Sequence, residues 1–291
     1  MYKISYLEEL RKRALLFLGL TVIAAVVLFL GFFIIRSFVV IPLFFVLFGL
    51  LIYQSKLSTE YRTAVKEDVV AARLKEVFQD VYFNAKAGFE RNFIRDTELV
   101  SMGNIYNSND LVSGKYKDVS FKQADVHIQQ RTQSGKTTTT VTLFKGRWIV
   151  YTFNKSFNGF MQIRSNSNRL FGNSKPLRFF SDKPEAKRLK LENELFNERF
   201  NIYASNEHEA YYILTPHFME KIMELDDSLD GNLVLGFIDN NLHIALYNNK
   251  DAFEPSLFKA IDESYTNEVE KDINLIKMVV DELTLDVNIY K

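Results

Sequence analysis

The sequence predicts an α+β protein: a two-helix N-terminal transmembrane hairpin, followed by a mainly antiparallel β-sheet domain with flanking helices. Three observations predict it. Ala14 to Ile35 is 22 residues without a charge, long enough to cross a hydrocarbon core of about 30 Å as a helix. From about Leu111 the apolar residues alternate with polar ones, the period of a half-buried strand. Near the end, Val269, Ile273, Ile276, Val280 and Leu283 recur at helical spacing.

The elements follow in chain order. Residues 1–13 are a basic segment ending in Arg11, Lys12 and Arg13. The first span is 14–35 and the second 37–54, which adds 18 uncharged residues after Arg36. Pro42 falls in the first turns of that second helix, where a missing amide donor costs least. The second span is short and admits a re-entrant as well as a fully crossing path. Cations precede the first span and Lys56, Arg62 and Lys66 follow the second, whereas the bend offers only Arg36. The positive-inside rule therefore places both termini in the cytoplasm. A cleaved signal is disfavoured, because the apolar run is too long and a second one follows at once.

A connecting helix is expected over 55–85, capped by Ser58 or Thr59 with Glu60 in its first turn. Residues 86–291 form the cytoplasmic α+β domain. Within it, "ADVHIQQ", "TVTLF", "RWIVYTF" and "FMQIR" read as strands of an antiparallel meander. Turns are expected at Ser134-Gly135-Lys136, at Lys145-Gly146 and at Asn158-Gly159. The last would leave Lys155 and Ser156 at a rim, open to a ligand, with Phe153 and Phe157 packed on the core. "RFNIYAS" and "AYYILT" read as further strands, Thr215-Pro216 as a helix start, and "NLVLGFIDNNLHIALY" as a hairpin about Asp239 to Asn241.

Charge is distributed unevenly. Ser205 to Lys291 holds 18 acidic against 6 basic residues, so this part carries −12 and the remainder +12 in a chain of zero net charge. Arg164 to Lys190 concentrates eight cations, broken by Asn, Ser, Gly and Pro, and reads as a long basic loop. The absence of cysteine excludes disulfides and thiolate chemistry.

Four stretches together resemble a known family: "DLVSGKYKDVSF", "LFKGRWIVYTFNKSFNG", "FNIYASNEHEAYYILTPHFMEKI" and "FIDNNLHIAL…DAFEPSLF". Their order is similar to that of an uncharacterised bacterial membrane-protein family, domain of unknown function 3137, over roughly Asp110 to Phe258. The resemblance implies a bacterial inner-membrane protein with a cytoplasmic body. It supplies no catalytic residue.

Candidate chemistry is sparse. His217 and Glu220, three apart on one helix face, are two potential metal ligands, but no HExxH motif accompanies them. His208 lies between Glu207 and Glu209 in what reads as a solvated tip, and His127 and His243 sit in strand patterns as structural residues. "GKT" at Gly135 lacks the upstream glycine of a phosphate loop, since Gln130 occupies that place. No nucleophile elbow is present, and Asp226-Asp227 and Asp262-Glu263 read as solvated carboxylates. No cofactor and no metal are predicted.

The basic stretch is the candidate site: Arg164, Arg169, Lys175, Arg178, Phe179, Phe180, Lys183, Lys187 and Arg188, with Lys155 beside them. Cations interleaved with aromatics suit anionic headgroups, the rings entering the interface. A solvated loop pairing with the acidic C-terminal part, or a protein partner, are the other readings. Nucleic acid is not the expected partner. Homo-oligomers are compatible with Gly19, Gly31 and Gly49 at helix contacts, although no GxxxG occurs. The expectation is therefore a membrane-anchored binding or scaffolding domain without catalysis of its own. The rival is a membrane-tethered hydrolase or transferase acting on a lipid or phosphorylated substrate.

Overall fold

The structure is a computed structural model describing residues 4–34, 40–166 and 186–285, with backbone alone at 32–34, 40–41 and 153–156. The chain divides into two compact units. The first comprises residues 1–73 and 253–270; the second comprises 74–252 and 271–291.

In the first unit, helix α1 (Ile4–Ile34) and helix α2 (Val40–Val65) pack side by side. Both are long and apolar enough to cross a bilayer. Helix α1 starts ten residues ahead of the predicted span, so most of the basic segment is itself helical. Arg11 and Arg13 pair with Glu8 and Glu9 one turn back. The bend at Arg36-Ser37 lies outside the described residues. Pro42 stands in the first turn of α2, where backbone N–H groups have no intrahelical acceptor to lose. Large apolar side chains face outward along the middle of both helices: Ile23 is 60 % exposed, Phe29 62 % and Phe45 72 %. Inward burial gathers at the charged ends, where Leu7, Leu10, Ala14, Leu57 and Tyr61 are enclosed, with Thr21 buried within the apolar stretch of α1.

No helix start occurs at Ser58 or Thr59. Helix α2 runs through both, and the Thr59 hydroxyl donates back to the Ser55 carbonyl. A π-helical turn follows at Lys66–Val70 before helix α3 (Ala71–Val77). The end of the expected connecting helix is instead strand β1 (Gln79–Asn84).

The second unit is built on one antiparallel sheet. After β1 come helix α4 (Arg91–Thr97) and strands β2 (Ile105–Tyr116), β3 (Val119–Ser134) and β4 (Thr137–Ser165). Then follow β5 (Lys187–Leu189), helix α5 (Glu194–Arg199), β6 (Phe200–Ala204), helix α6 (Glu207–Ile213) and helix α7 (Pro216–Ser228). Strand β7 (Asn232–Tyr247) and helix α8 (Glu263–Glu282) complete the described elements, α8 contributing residues to both units. Strands β2, β3 and β4 form an antiparallel meander, but not from the predicted strands: "ADVHIQQ" lies in β3, whereas "TVTLF", "RWIVYTF" and "FMQIR" are one strand, β4. Of the predicted turns, the one at Gly135 (φ +59°) is the β3–β4 reversal.

Strand β4 organises the sheet. Its 29 residues carry β7 along one edge, from Gly146 opposite Tyr247 to Arg164 opposite Val234. The other edge is shared in succession by β3, paired as far as Tyr151, and β6, paired from Met161. Three expected turns are thus strand interior. Gly146 lies within β4 because β7 approaches closely: a Cβ there would stand 2.0 Å from the Leu246 carbonyl oxygen. Asn158-Gly159 belongs to an irregular stretch where the β4–β7 register shifts between Thr152 and Phe160, a bulge rather than a reversal. The expected hairpin at Asp239 to Asn241 is a single strand, β7, with only Asp239 in left-handed conformation.

Alternation along β4 separates two faces. Phe144, Trp148, Val150 and Phe160 meet Phe89, Ile94 and Leu99 around α4, together with Ala124, Val126 and Ile128 of β3. Arg147 and Tyr151 face the other way, against the C-terminal part of α8. There the Tyr151 hydroxyl donates to the Ile276 carbonyl at 2.8 Å. The predicted stripe of α8 is the buried one, Val269, Ile273, Ile276, Val280 and Leu283 all being 2 % exposed or less.

"AYYILT" is not a strand but helix α6 and its exit. The Asn206 side chain caps it by accepting from the Glu209 N–H, and Glu207 and Glu209 stand in the first turn. Local capping and the helix dipole outweigh the β-propensity of Tyr-Tyr-Ile. Thr215 caps α7 and Pro216 opens it, as the sequence predicts.

Candidate functional site

The basic stretch divides on folding. Arg164 is not in a loop but in β4, 8 % exposed. Its guanidinium lies 4.7 Å from the Tyr203 ring centre and donates to Gln162 Oε1 at 2.7 Å. A cation so enclosed is an internal fixture of the β4–β6 ladder, not a docking group. Lys187 and Arg188 are exposed on β5, the last strand of the sheet on its side, with Lys190 exposed just beyond. Arg188 donates to Asn201 Oδ1 at 2.6 Å. Arg169, Lys175, Arg178, Phe179, Phe180 and Lys183 lie outside the described residues, as does the side chain of Lys155.

A groove of about 570 Å³ opens beside these cations, lined by Arg188, Leu189, Lys190, Glu194, Asn197 and Phe200 among others. Its walls are held locally. Asn193 caps α5 by accepting from the Phe196 N–H, and Asn197 bonds both the N–H and the carbonyl of Leu191. The groove therefore presents two cations, Arg188 and Lys190, and the Asn197 amide beside two carboxylates, Glu194 and Glu198.

The sheet also holds a polar cluster that the sequence alone does not reveal. Asp125 on β3 stands directly opposite Arg147 on β4, and Gln123 opposite Ile149. The bulge in β2 between Asn109 and Val112 brings Asp110, with φ +59°, close enough for the two carboxylates to repel. Asp110 and Gln123 are fully buried and Asp125 is 3 % exposed. Burial pushes the Asp125 carboxyl well above the ordinary range. Asp110 adds to the rise, whereas Arg147 and the Ala252 N–H, donating at 2.6 Å, oppose it. Arg147 in turn donates to the carboxylate and the backbone carbonyl of Asp272 on α8. The cluster places two carboxyls, an amide and a cation inside the fold, but it is too enclosed to meet a substrate. Its only sequence signal is the placing of Gln123 and Asp125 at alternate positions among apolar residues.

The histidines are structural or exposed. His243 on β7 accepts the Trp148 indole N–H at Nδ1, 3.3 Å away, and burial lowers its pKa to about 4. His127 is lowered by burial and by Lys145. His208, His217 and Glu220 are exposed on α6 and α7. Among the described residues no group of three His, Cys, Asp or Glu side chains converges to hold a metal.

Of the carboxylates that read as solvated in the sequence, Asp227, Asp262 and Glu263 are exposed, but Asp226, Asp227 and Asp262 also have structural tasks. Asp226 is buried and, with Asp227, binds the Arg199 guanidinium at 2.7 and 2.9 Å. Asp262 caps α8 by accepting from the Tyr265 N–H at 3.2 Å.

Residues 142–285, from β4 through α8, match the family described as protein of unknown function, DUF3137. They form a DUF3137 domain. The match begins later than the resemblance read from the sequence and runs further, so "DLVSGKYKDVSF" on β2 lies outside it and α8 lies within. The DUF3137 domain thus contains the central β4–β7 ladder and the groove beside β5. Among solved structures, the chain is similar to the mycobacterial trehalose monomycolate transport factor A. The identity is 11 % and the TM-score 0.36, over 69 % of this chain and 88 % of that one. Comparison with curated proteins finds no match.

Proposed function

We propose that the protein is a bacterial inner-membrane protein, anchored by α1 and α2 with both termini cytoplasmic. Its DUF3137 domain binds or scaffolds at the membrane surface and performs no catalysis of its own. The observation that carries this reading is the outward-facing apolar belt of α1 and α2. Side chains such as Ile23, Phe29 and Phe45 would be a severe aggregation liability in water and are ordinary in lipid. Cations flank that belt at Arg11, Lys12, Arg13 and Lys56, which supports the orientation.

The binding surface is the basic edge at Lys187, Arg188 and Lys190. Anionic headgroups are its ligand. The acidic C-terminal part of the chain would be repelled by the same leaflet, so surface charge sets the orientation of the domain. A protein partner on the same groove is the competing occupant.

The test uses the full chain in nanodiscs of neutral or anionic lipid, with hydrogen exchange read at Lys187–Lys190. Anionic lipid at low salt slows exchange there, and high salt restores it, because the contact is screened within a Debye length. Exchange that ignores lipid charge would end the headgroup reading and leave the protein partner.

A further inference from the structure

Phe258 is 76 % exposed, the most exposed large apolar side chain among the described residues, although its neighbour Leu257 is 7 % exposed. The backbone that presents it is held. Within the first unit, Arg11 donates to the Leu257 carbonyl at 3.3 Å and the Ile261 N–H donates to Glu8 Oε1 at 3.1 Å. Tyr61 donates to the Ser256 carbonyl at 3.4 Å, and Glu254 pairs with Arg62 and with Lys66. The ring is therefore kept outside by a fixed loop.

The same bonds set its level. Arg11 lies one turn before Ala14, where the uncharged stretch of α1 begins, and Glu8 lies one turn further back. Leu257 meets Arg11 and Ile261 meets Glu8, so the loop leaves the apolar stretch as its numbering rises. Phe258 stands at the end nearest that stretch. Exposed cations surround this level: Lys12, Arg13 and Lys56 on the helices, and Lys259 beside the ring. The Lys259 side chain is 67 % exposed, with Glu268 at 3.9 Å.

We infer that Phe258 and Lys259 form an interfacial anchor, the ring entering the boundary between acyl chains and headgroups and the ammonium meeting headgroup phosphates. The inference rests on reading α1 and α2 as membrane spans. A Phe ring supplies apolar area that enters the acyl boundary at this depth, and a lysine beside it keeps its apolar stem there with the charged tip among the headgroups. Continuity with the spans argues for lipid. A lone ring among cations lacks the broad apolar patch of a protein–protein contact.

The experiment places tryptophan in the full chain, reconstituted in vesicles whose phospholipids carry bromine either near the headgroup or near the chain ends. Native Trp148 is the single tryptophan and is fully buried, giving a constant background. I23W reports on the span and F258W on the loop. The expected result is that I23W loses its added emission with deep bromine and F258W loses it with shallow bromine. Quenching of I23W with an unchanged F258W overturns the anchor and leaves the membrane reading standing. Quenching of F258W mainly by deep bromine also overturns it. If I23W is not quenched, the membrane reading falls and the anchor falls with it.

Discussion

Trp148 on β4 donates its indole N–H to Nδ1 of His243 on β7, joining the two strands that run the length of the sheet. The bond requires a neutral imidazole with its proton on Nε2, since a protonated Nδ1 cannot accept. Burial lowers the His243 pKa to about 4, against about 6.5 when unfolded. The unfolded chain then binds the extra proton first. The contribution is complete above pH 6.5 and is lost as pH falls through 4, amounting to about 3 kcal/mol. Thermal unfolding of the full chain in detergent should show the melting temperature falling across that window. H243Q removes the titration and should flatten the fall. An equally steep acid limb in H243Q would remove His243 from the account.

Asp125 gives the opposite sign. Its folded pKa is raised, mainly by burial and then by Asp110. Its stabilising contribution is full below the ordinary carboxylate pKa and declines as pH rises towards the folded value. Asn at this position imitates the neutral acid and can still accept the Ala252 N–H. D125N should therefore gain on wild type between pH 5 and pH 8, judged by the difference in melting temperature at each. A variant that loses ground as pH rises would show that Asp125 is ionised in the fold.

The Arg147–Asp272 pair ties β4 to the C-terminal part of α8. The Arg147 side chain is 7 % exposed and that of Asp272 24 %. Removing one partner of a buried pair leaves an uncompensated charge, costing about 3 kcal/mol or more. R147M should lower stability by about that amount and D272N by less, because the Asp272 carbonyl remains an acceptor. The double variant should cost less than the two single costs added, the signature of coupled groups in a mutant cycle. Strict additivity would show that the pair contributes nothing specific.

Helices α1, α2, α7 and α8 are legible in the sequence because their causes are local: uncharged length, the Thr215-Pro216 cap and the Val269-to-Leu283 stripe. The failures share a different cause. Gly146, Gly159 and Asp239 carry ordinary turn chemistry, yet β4 and β7 pass through all three because each strand supplies the other's partner from some ninety residues away. The same ladder draws Arg164 out of the basic loop into a stacked, buried position. Tyr211-Tyr212 scores as strand until the Asn206 cap is weighed. The Asp125–Arg147 opposition is a matter of register, which no single segment encodes. Lys187 and Arg188 are legible as an exposed basic pair because an edge strand needs few neighbours.

Two glycines with similar sequence appearance should therefore respond in opposite ways. Gly135 occupies the β3–β4 turn with φ +59°, and a Cβ added there would meet nothing within 4 Å. Its requirement is conformational, and Asn tolerates that backbone region at little cost. Gly146 is required by distance, since a Cβ would stand 2.0 Å from the Leu246 carbonyl oxygen. Relief would demand that β4 and β7 part, breaking bonds on both sides of the Trp148–His243 contact. G135N should remain within about 1 kcal/mol of wild type, whereas G146A should cost about 3 kcal/mol or prevent accumulation of folded protein. Chemical denaturation of both variants in the same detergent compares them directly. If G146A unfolded at the wild-type midpoint, the close approach of β4 and β7 at this point would be wrong, and Lys145-Gly146 would return to being a turn.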